Sequence, residues 1–180
     1  MLISYNELCE FAERGVIAPV NPKDINGTSI DVHLGPKILV ERRYPERSYP
    51  TVSLRDKENV RWIEHDITED YYNLLPGEFI LAHTVEVFDL PADISAEFKL
   101  NSSGARIGLD NALATWADPL WHGSALTLEL KNNTRHHVIR LHHGCRIGQM
   151  IFHRSEPVPE DKSYAVRGRY NNDKSAQPVK

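Results

Sequence analysis

The sequence predicts a mainly β chain: an antiparallel sandwich, jelly roll or distorted barrel behind one short helix. Three observations carry that expectation. From Ile30 onward apolar residues recur in short runs, several of them with period two. Gly, Pro, Asn and Asp punctuate the gaps between the runs. Beyond Gly15 no stretch keeps a long helical period, so there are no helices to cross over between parallel strands.

The elements follow in order. Ser4-Tyr5-Asn6-Glu7 has the form of a capping box, with Leu8, Phe11 and Ala12 on one helical face and Gly15 at the stop. Ile17 to Gly27 is rich in Pro, Asn and Asp and reads as a turn-filled connection. Ile30, Val32 and Leu34 then alternate with Asp31 and His33 as a strand. Further strands are expected at Lys37–Val40, Phe79–His83, Val85–Leu90, Ile94–Leu100, Ala125–Lys131, His137–Leu141 and Arg146–Phe152. Arg42 to Asn59, charged and holding Pro45 and Pro50, is expected to be an exposed excursion. The organisation expected is one β domain over residues 1–154 and a tail, residues 155–180. The tail is poor in large aliphatics and expected to order only through contact with something else.

The 180 residues, 41% hydrophobic and 26% charged, suffice for one core without disulfides or a structural metal. Lys plus Arg number 21 against 25 Asp plus Glu, a formal charge of −4. That balance argues against a nucleic-acid or membrane-surface partner, yet a small anion needs only a local basic pocket. Cys9 and Cys145 suggest no disulfide framework. No leader pattern shows in Met1–Glu10 and no apolar run is long enough to span a bilayer, so the expected location is the cytoplasm.

Chemistry concentrates between Lys99 and Lys131. Ser102-Ser103-Gly104-Ala105-Arg106 can offer hydroxyl, backbone and guanidinium donors to phosphate oxygens; it can equally be a helix start with Ser at the N-cap and a stop near Gly108. In Ala125–Lys131 alternation sends Leu126, Leu128 and Leu130 to one face and Thr127, Glu129 and Lys131 to the other. Glu129 therefore faces water or lines a polar cavity, where it could move protons with Arg106 aiming it. Asp118 opens the turn Asp118-Pro119-Leu120-Trp121-His122-Gly123, either as a turn former or as an acceptor for a ribose hydroxyl. His136-His137 and His142-His143 flank a short strand, where each pair gives at most one ligand to a shared site, so no metal site is expected. The His-x-Glu and Pro-Cys-x-x-Cys pattern of zinc deaminases is absent, as are a P-loop, G-x-G-x-x-G and G-x-S-x-G.

These residues also carry a family likeness. Ser102-Ser103-Gly104-Ala105-Arg106-Ile107-Gly108-Leu109 resembles the Ser-Ser-x-Ala-Arg-x-Gly-Leu motif of the dCTP deaminase family. Asp118-Pro119, Trp121 and Gly123 followed by Leu126-Thr127-Leu128-Glu129-Leu130 resemble the family's next motif, which holds its catalytic glutamate. Gly144 with Arg146–Phe152, the early Ile25-Asn26-Gly27 with Ser29–Val32, and Gly168-Arg169-Tyr170-Asn171 are similar to its other signatures. The resemblance implies a dUTPase-like β fold, a homotrimer with active sites at subunit interfaces, and zinc-independent deamination of dCTP or a modified dCTP. It implies Glu129 as proton shuttle, oriented by Arg106. Ser102, Ser103, Arg106, Asp118, Thr127, Gln149, Tyr164, Arg169, Tyr170 and Asp173 would meet the nucleotide, with Mg2+ arriving on the triphosphate. Asp118 would take the 3′-hydroxyl, and the tail would close over the ligand.

The chain departs from the family pattern at named places. Asn101 and Asp173 stand where Arg and Gln are common, Leu120 where Gly is usual, and Thr115-Trp116 where some relatives have His-Arg; Ser124 is an extra residue before the strand. Two alternatives stay open: dUTP pyrophosphate hydrolysis, alone or combined with deamination, and a non-catalytic nucleotide-binding β module. A tail that is not glycine-rich, together with an acid at position 129, favours deamination over pure dUTP hydrolysis.

Overall fold

The computed structural model describes residues 1–42, 49, 51–55, 60–112 and 114–179; the expected excursion over Arg42–Asn59 lies largely outside them. The chain opens with α1 (Tyr5–Glu13), β1 (Ile17–Ala18), a 3-10 turn over Pro22–Asp24, β2 (Ile30–His33), β3 (Lys37–Glu41), β4 (Trp62–Asp66) and β5 (Tyr71–Leu74). It continues with β6 (Phe79–Asp89), β7 (Ile94–Leu100), α2 (Ser102–Arg106), β8 (Leu109–Asn111), β9 (Trp116–Ala117) and β10 (His122–Asn132). It closes with β11 (Ile139–His142), β12 (Arg146–Arg154), a 3-10 turn over Glu160–Lys162 and α3 (Tyr164–Arg167).

All strand pairing is antiparallel. One sheet runs β4-β3-β6-β10-β8 with β1 added on β6, a second runs β2-β12-β7-β9, and β5 pairs with β11. Their inner faces share one core: Ile30 and Val32 of β2, Phe98 of β7, Met150 and Phe152 of β12, Ile80 and Phe88 of β6, and Leu128 and Leu130 of β10. Leu8 and Phe11 of α1 join it, Phe11 meeting Phe152 edge to face. The mainly β expectation holds, as a distorted two-sheet arrangement with a short N-terminal helix.

Local expectations fared unevenly. Ser4 makes no side-chain cap, so the capping box is absent. Glu7 instead pairs with Arg154, which also reaches Asp93 at 3.1 Å, tying the helix to β12. Phe79–His83 and Val85–Leu90 are one strand. The break read at Thr84 is a bulge, patched by a hydroxyl that accepts from the Leu126 N–H at 3.0 Å and donates to the Glu86 carbonyl at 2.8 Å. β11 begins two residues later than expected, at Ile139. The five strands missed, β1 within the expected turn-filled connection among them, are short or mostly exposed, so no long alternation marks them.

The early signature is a latch between β2 and β12. Asn26 donates to Asp31 at 2.9 Å, Asp31 holds Arg146 at 2.8 Å, and Ser29 donates to Gln149 at 2.8 Å. Beside it lies Gly148, where a Cβ would overlap the buried Phe98 ring and the Lys99 carbonyl. Gly148→Ala should therefore lower stability by about 2 kcal/mol, the usual scale of overpacking, read from urea denaturation; an unchanged midpoint would show that the sheet yields there.

Candidate active site

β10 sets the site. Leu126, Leu128 and Leu130 turn inward at 9%, 0% and 0% exposure, which obliges Thr127 and Glu129 to face the other way. Across the ladder Glu129 opposes Leu81 and Thr127 opposes His83. The outward face opens into a cavity of about 540 Å³. Leu81, Trp116 and Leu126 supply apolar walls, Thr127 and Glu129 rise from its floor, and Tyr164, Tyr170, Asp173 and Gln177 come from the tail.

The tail reaches the cavity along hydrogen bonds to the chain's own turn and to β10. The Trp121 indole N–H donates to the Tyr170 carbonyl at 2.7 Å, and the Asn172 N–H to the His122 carbonyl at 3.0 Å. The Ala125 N–H meets the Asp173 carbonyl at 2.8 Å and the Gln177 N–H meets the Thr127 hydroxyl at 3.2 Å. Ser124, fully buried, accepts from the Asp173 N–H at 3.1 Å and donates to the Tyr170 carbonyl at 2.9 Å. Ser124, read in the sequence as an extra residue, is thus a clasp for the tail, and the β10–β6 register shifts on either side of it. Further on, Ala176 packs at 6% exposure against Leu39 and Leu81.

Glu129 is the chemical centre of this hollow. Its Oε2 is buried and has no hydrogen-bond partner among the described residues. Burial, only partly opposed by its own backbone N–H, pushes its pKa up to about 7. A carboxyl group poised there can both take and give a proton near neutral pH. Burial also holds the Tyr164 phenol above its ordinary pKa, against the opposing pull of the Tyr170 and Arg169 backbone N–H groups.

The expected residues divide. Thr127, Glu129, Tyr164, Tyr170 and Asp173 share the cavity. Asp118 lies beside it on a second hollow, its Oδ1 accepting the Trp116 indole N–H at 3.0 Å. Gln149 is bound into the β2–β12 latch and does not line the cavity. Arg169 is exposed and stands outside the lining. Ser102, Ser103 and Arg106 lie exposed on α2, so within one chain Arg106 does not aim Glu129. That segment is a helix start, but Asn101 and not Ser caps it. The Asn101 side chain accepts from the Gly104 N–H at 2.6 Å and donates to the Arg146 carbonyl at 2.7 Å. The paired histidines are all exposed.

Sequence reasoning missed Ser124 and Gln177 as parts of the site. Their roles depend on where the tail lands, which no local pattern encodes. Trp116 stood out only as a departure from the family pattern; it lines the cavity and stacks on His153, ring centroids 5.8 Å apart.

Comparison with known proteins places the chain. The family model described as dCTP deaminase-like matches residues 4–155. A protein of Aquifex aeolicus (strain VF5) named "dCTP deaminase, dUMP-forming" is 34% identical over 181 residues, 99% of this chain and 93% of that one. One of the same name from Acidothermus cellulolyticus is 36% identical over 185 residues, 99% of this chain and 94% of that one. The crystal structure of 2′-deoxycytidine 5′-triphosphate deaminase from Agrobacterium tumefaciens has the same fold, with a TM-score of 0.66 at 20% identity over 86% of this chain. The present chain spans 48% of that one.

A buried carboxyl with a raised pKa leaves a pH signature in stability. Folding favours its protonated form, so the folded state holds a proton that the unfolded state has lost between the ordinary value of 4.5 and about 7. Stability should fall as pH rises through that window. In Glu129→Gln the fall should be shallower, so the variant should gain in melting temperature relative to the native chain between pH 4.5 and 7.5. Parallel curves would show that Glu129 is solvated.

Proposed function

The chain belongs to the dCTP deaminase-like family, and from that premise we propose that it converts dCTP and two waters into dUMP, diphosphate and ammonia. The names of its relatives, each over nearly its whole length, support the dUMP-forming reaction over simple release of dUTP. The observation that carries the chemistry is the half-buried Glu129 carboxyl, one oxygen of which has no partner among the described residues, inside a nucleoside-sized hollow.

Glu129 takes a proton from the water that attacks C4 of the cytosine ring. It returns protons to N3 and to the amine, the C4–N4 bond breaks, and ammonia leaves. A pKa of about 7 lets one carboxyl serve first as base and then as acid. A second water attacks the α-phosphorus and releases diphosphate. Mg2+ enters on the triphosphate oxygens, as it does with most nucleotide substrates.

The exposed α2 hydroxyls of Ser102 and Ser103 and the Arg106 guanidinium act on a neighbouring copy. In this reading the protein is a homotrimer in which α2 of one subunit meets the cavity of the next, and Arg106 orients Glu129 across the interface. Asp118 holds the 3′-hydroxyl. The tail over residues 155–180 closes on the bound nucleotide.

Glu129→Gln should abolish ammonia release from dCTP while nucleotide binding stays measurable by calorimetry; retained turnover would remove Glu129 from the chemistry. In the native enzyme kcat/KM should climb as pH rises through about 7, as the base ionises. Chromatography should find dUMP and diphosphate with the ammonia, whereas dUTP as the end product would reduce the reaction to deamination alone. Light scattering should give a trimer, and a monomer at assay concentration would end the shared-site reading.

A further inference from the structure

β6 is a core strand, yet it carries three buried polar side chains close together. His83 is 4% exposed, Thr84 0% and Glu86 3%. Burying such groups costs free energy unless each is hydrogen-bonded, and the chemistry assigned to Glu129 uses none of them. All three have partners. His83 Nδ1 lies 2.8 Å from the Thr84 carbonyl and so carries the ring hydrogen, which leaves Nε2 to accept from the Lys37 N–H at 3.3 Å. Gly35 runs against that ring, where a Cβ would overlap it. The Glu86 carboxyl accepts the His33 backbone N–H at 2.9 Å and meets the His33 ring Nδ1 at 2.8 Å, which ties it to β2.

What they hold is a wide bulge. Between the pairs Ala125–Val87 and Thr127–His83, β10 has one residue, Leu126, and β6 has three, Thr84 to Glu86. The buried Leu126 N–H reaches the Thr84 hydroxyl at 3.0 Å, and that hydroxyl donates onward to the Glu86 carbonyl at 2.8 Å. Directly after this bond the regular ladder resumes, with Thr127 opposite His83, Leu128 opposite Ala82 and Glu129 opposite Leu81. The Thr84 hydroxyl is thus the joint between β6 and the stretch of β10 that forms the floor of the cavity.

Resting on the reading of Glu129 as the proton shuttle of a dCTP deaminase, we infer that Thr84 is a positioning residue for it. Its hydroxyl, through the Leu126 N–H, sets where β10 leaves the bulge and so where the Glu129 carboxyl points. Thr84 lies outside the cavity lining and acts only through the backbone. His83 and Glu86 hold the bulge in place behind it. A backbone N–H left unpaired in a core is costly, so without the hydroxyl β10 shifts or admits water at Leu126. A misplacement of about 1 Å at a reacting group can cost about a hundredfold in rate.

The test compares the native chain with Thr84→Val, which keeps the shape and removes the hydroxyl, and with Thr84→Ser, which keeps the hydroxyl. In Thr84→Val, kcat for dCTP should fall about tenfold or more while KM changes by less than about threefold, the pattern of a misaimed catalytic group. The titration midpoint of the 13C-labelled Glu129 carboxyl should move down from about 7 toward 4.5 as water reaches the displaced group. Thr84→Ser should restore both. If Thr84→Val does not fold, Thr84→Cys, whose sulfur is a weak acceptor, takes its place with the same expectations. A folded variant without the hydroxyl that melts lower yet keeps the native kcat or the native midpoint would make Thr84 structural only. Thr84→Ser as poor as Thr84→Val, or a rise in KM at unchanged kcat, would equally overturn the inference. Absence of ammonia release by the native chain would instead sink the deaminase reading, and the Glu129 midpoints would still decide whether Thr84 aims the carboxyl.

Discussion

Placing a carboxyl group in a largely apolar hollow without a partner for one of its oxygens is costly when the group is ionised. At Glu129 that cost is met by keeping the proton up to about pH 7. The rest of the site follows from this constraint. Alternation along β10 leaves no choice of face for Glu129, because the leucines on either side of it are committed to the core. Desolvation is completed by the tail, whose Tyr164, Tyr170 and Gln177 roof the same space. A shorter or detached tail would return the carboxyl to water and to an ordinary pKa.

The tail is in turn held by the turn that precedes β10. There the departures from the family pattern gain physical meaning. Ser124 uses its hydroxyl to clasp the tail backbone. Leu120, where Gly is usual, sits at φ 63°, a left-handed conformation that costs a branched residue about 1 kcal/mol. Gly123 keeps a similar φ of 63° without that cost and leaves room for the Asn172 side chain, which a Cβ would displace.

Much of this was legible in the residues. The β class, the opening helix, β7, β10 and β12 were set by apolar spacing, and spacing alone put Glu129 opposite the leucines. What spacing could not give was anything fixed by distant partners. Glu7 fits a capping box in sequence, yet Arg154 captures it from the far end of the chain. Gln149 looks available until Ser29 claims it. Thr84 reads as a break because the hydroxyl that repairs the ladder belongs to a tertiary contact with Leu126. The acid-rich strand Trp62–Asp66 shows almost no buried face and so no pattern to read. Motif likeness suggested a link between Glu129 and Arg106, but within one chain Arg106 does not line the Glu129 cavity.

The protonation of Glu129 can be observed without any substrate. In protein carrying 13C-labelled glutamate carboxyl groups, the resonance missing from Glu129→Gln identifies this residue, and its shift against pH gives its titration midpoint. The midpoint in the native chain should lie near 7. A midpoint near 4.5, the ordinary glutamate value, would mean that water reaches the carboxylate freely and would contradict it.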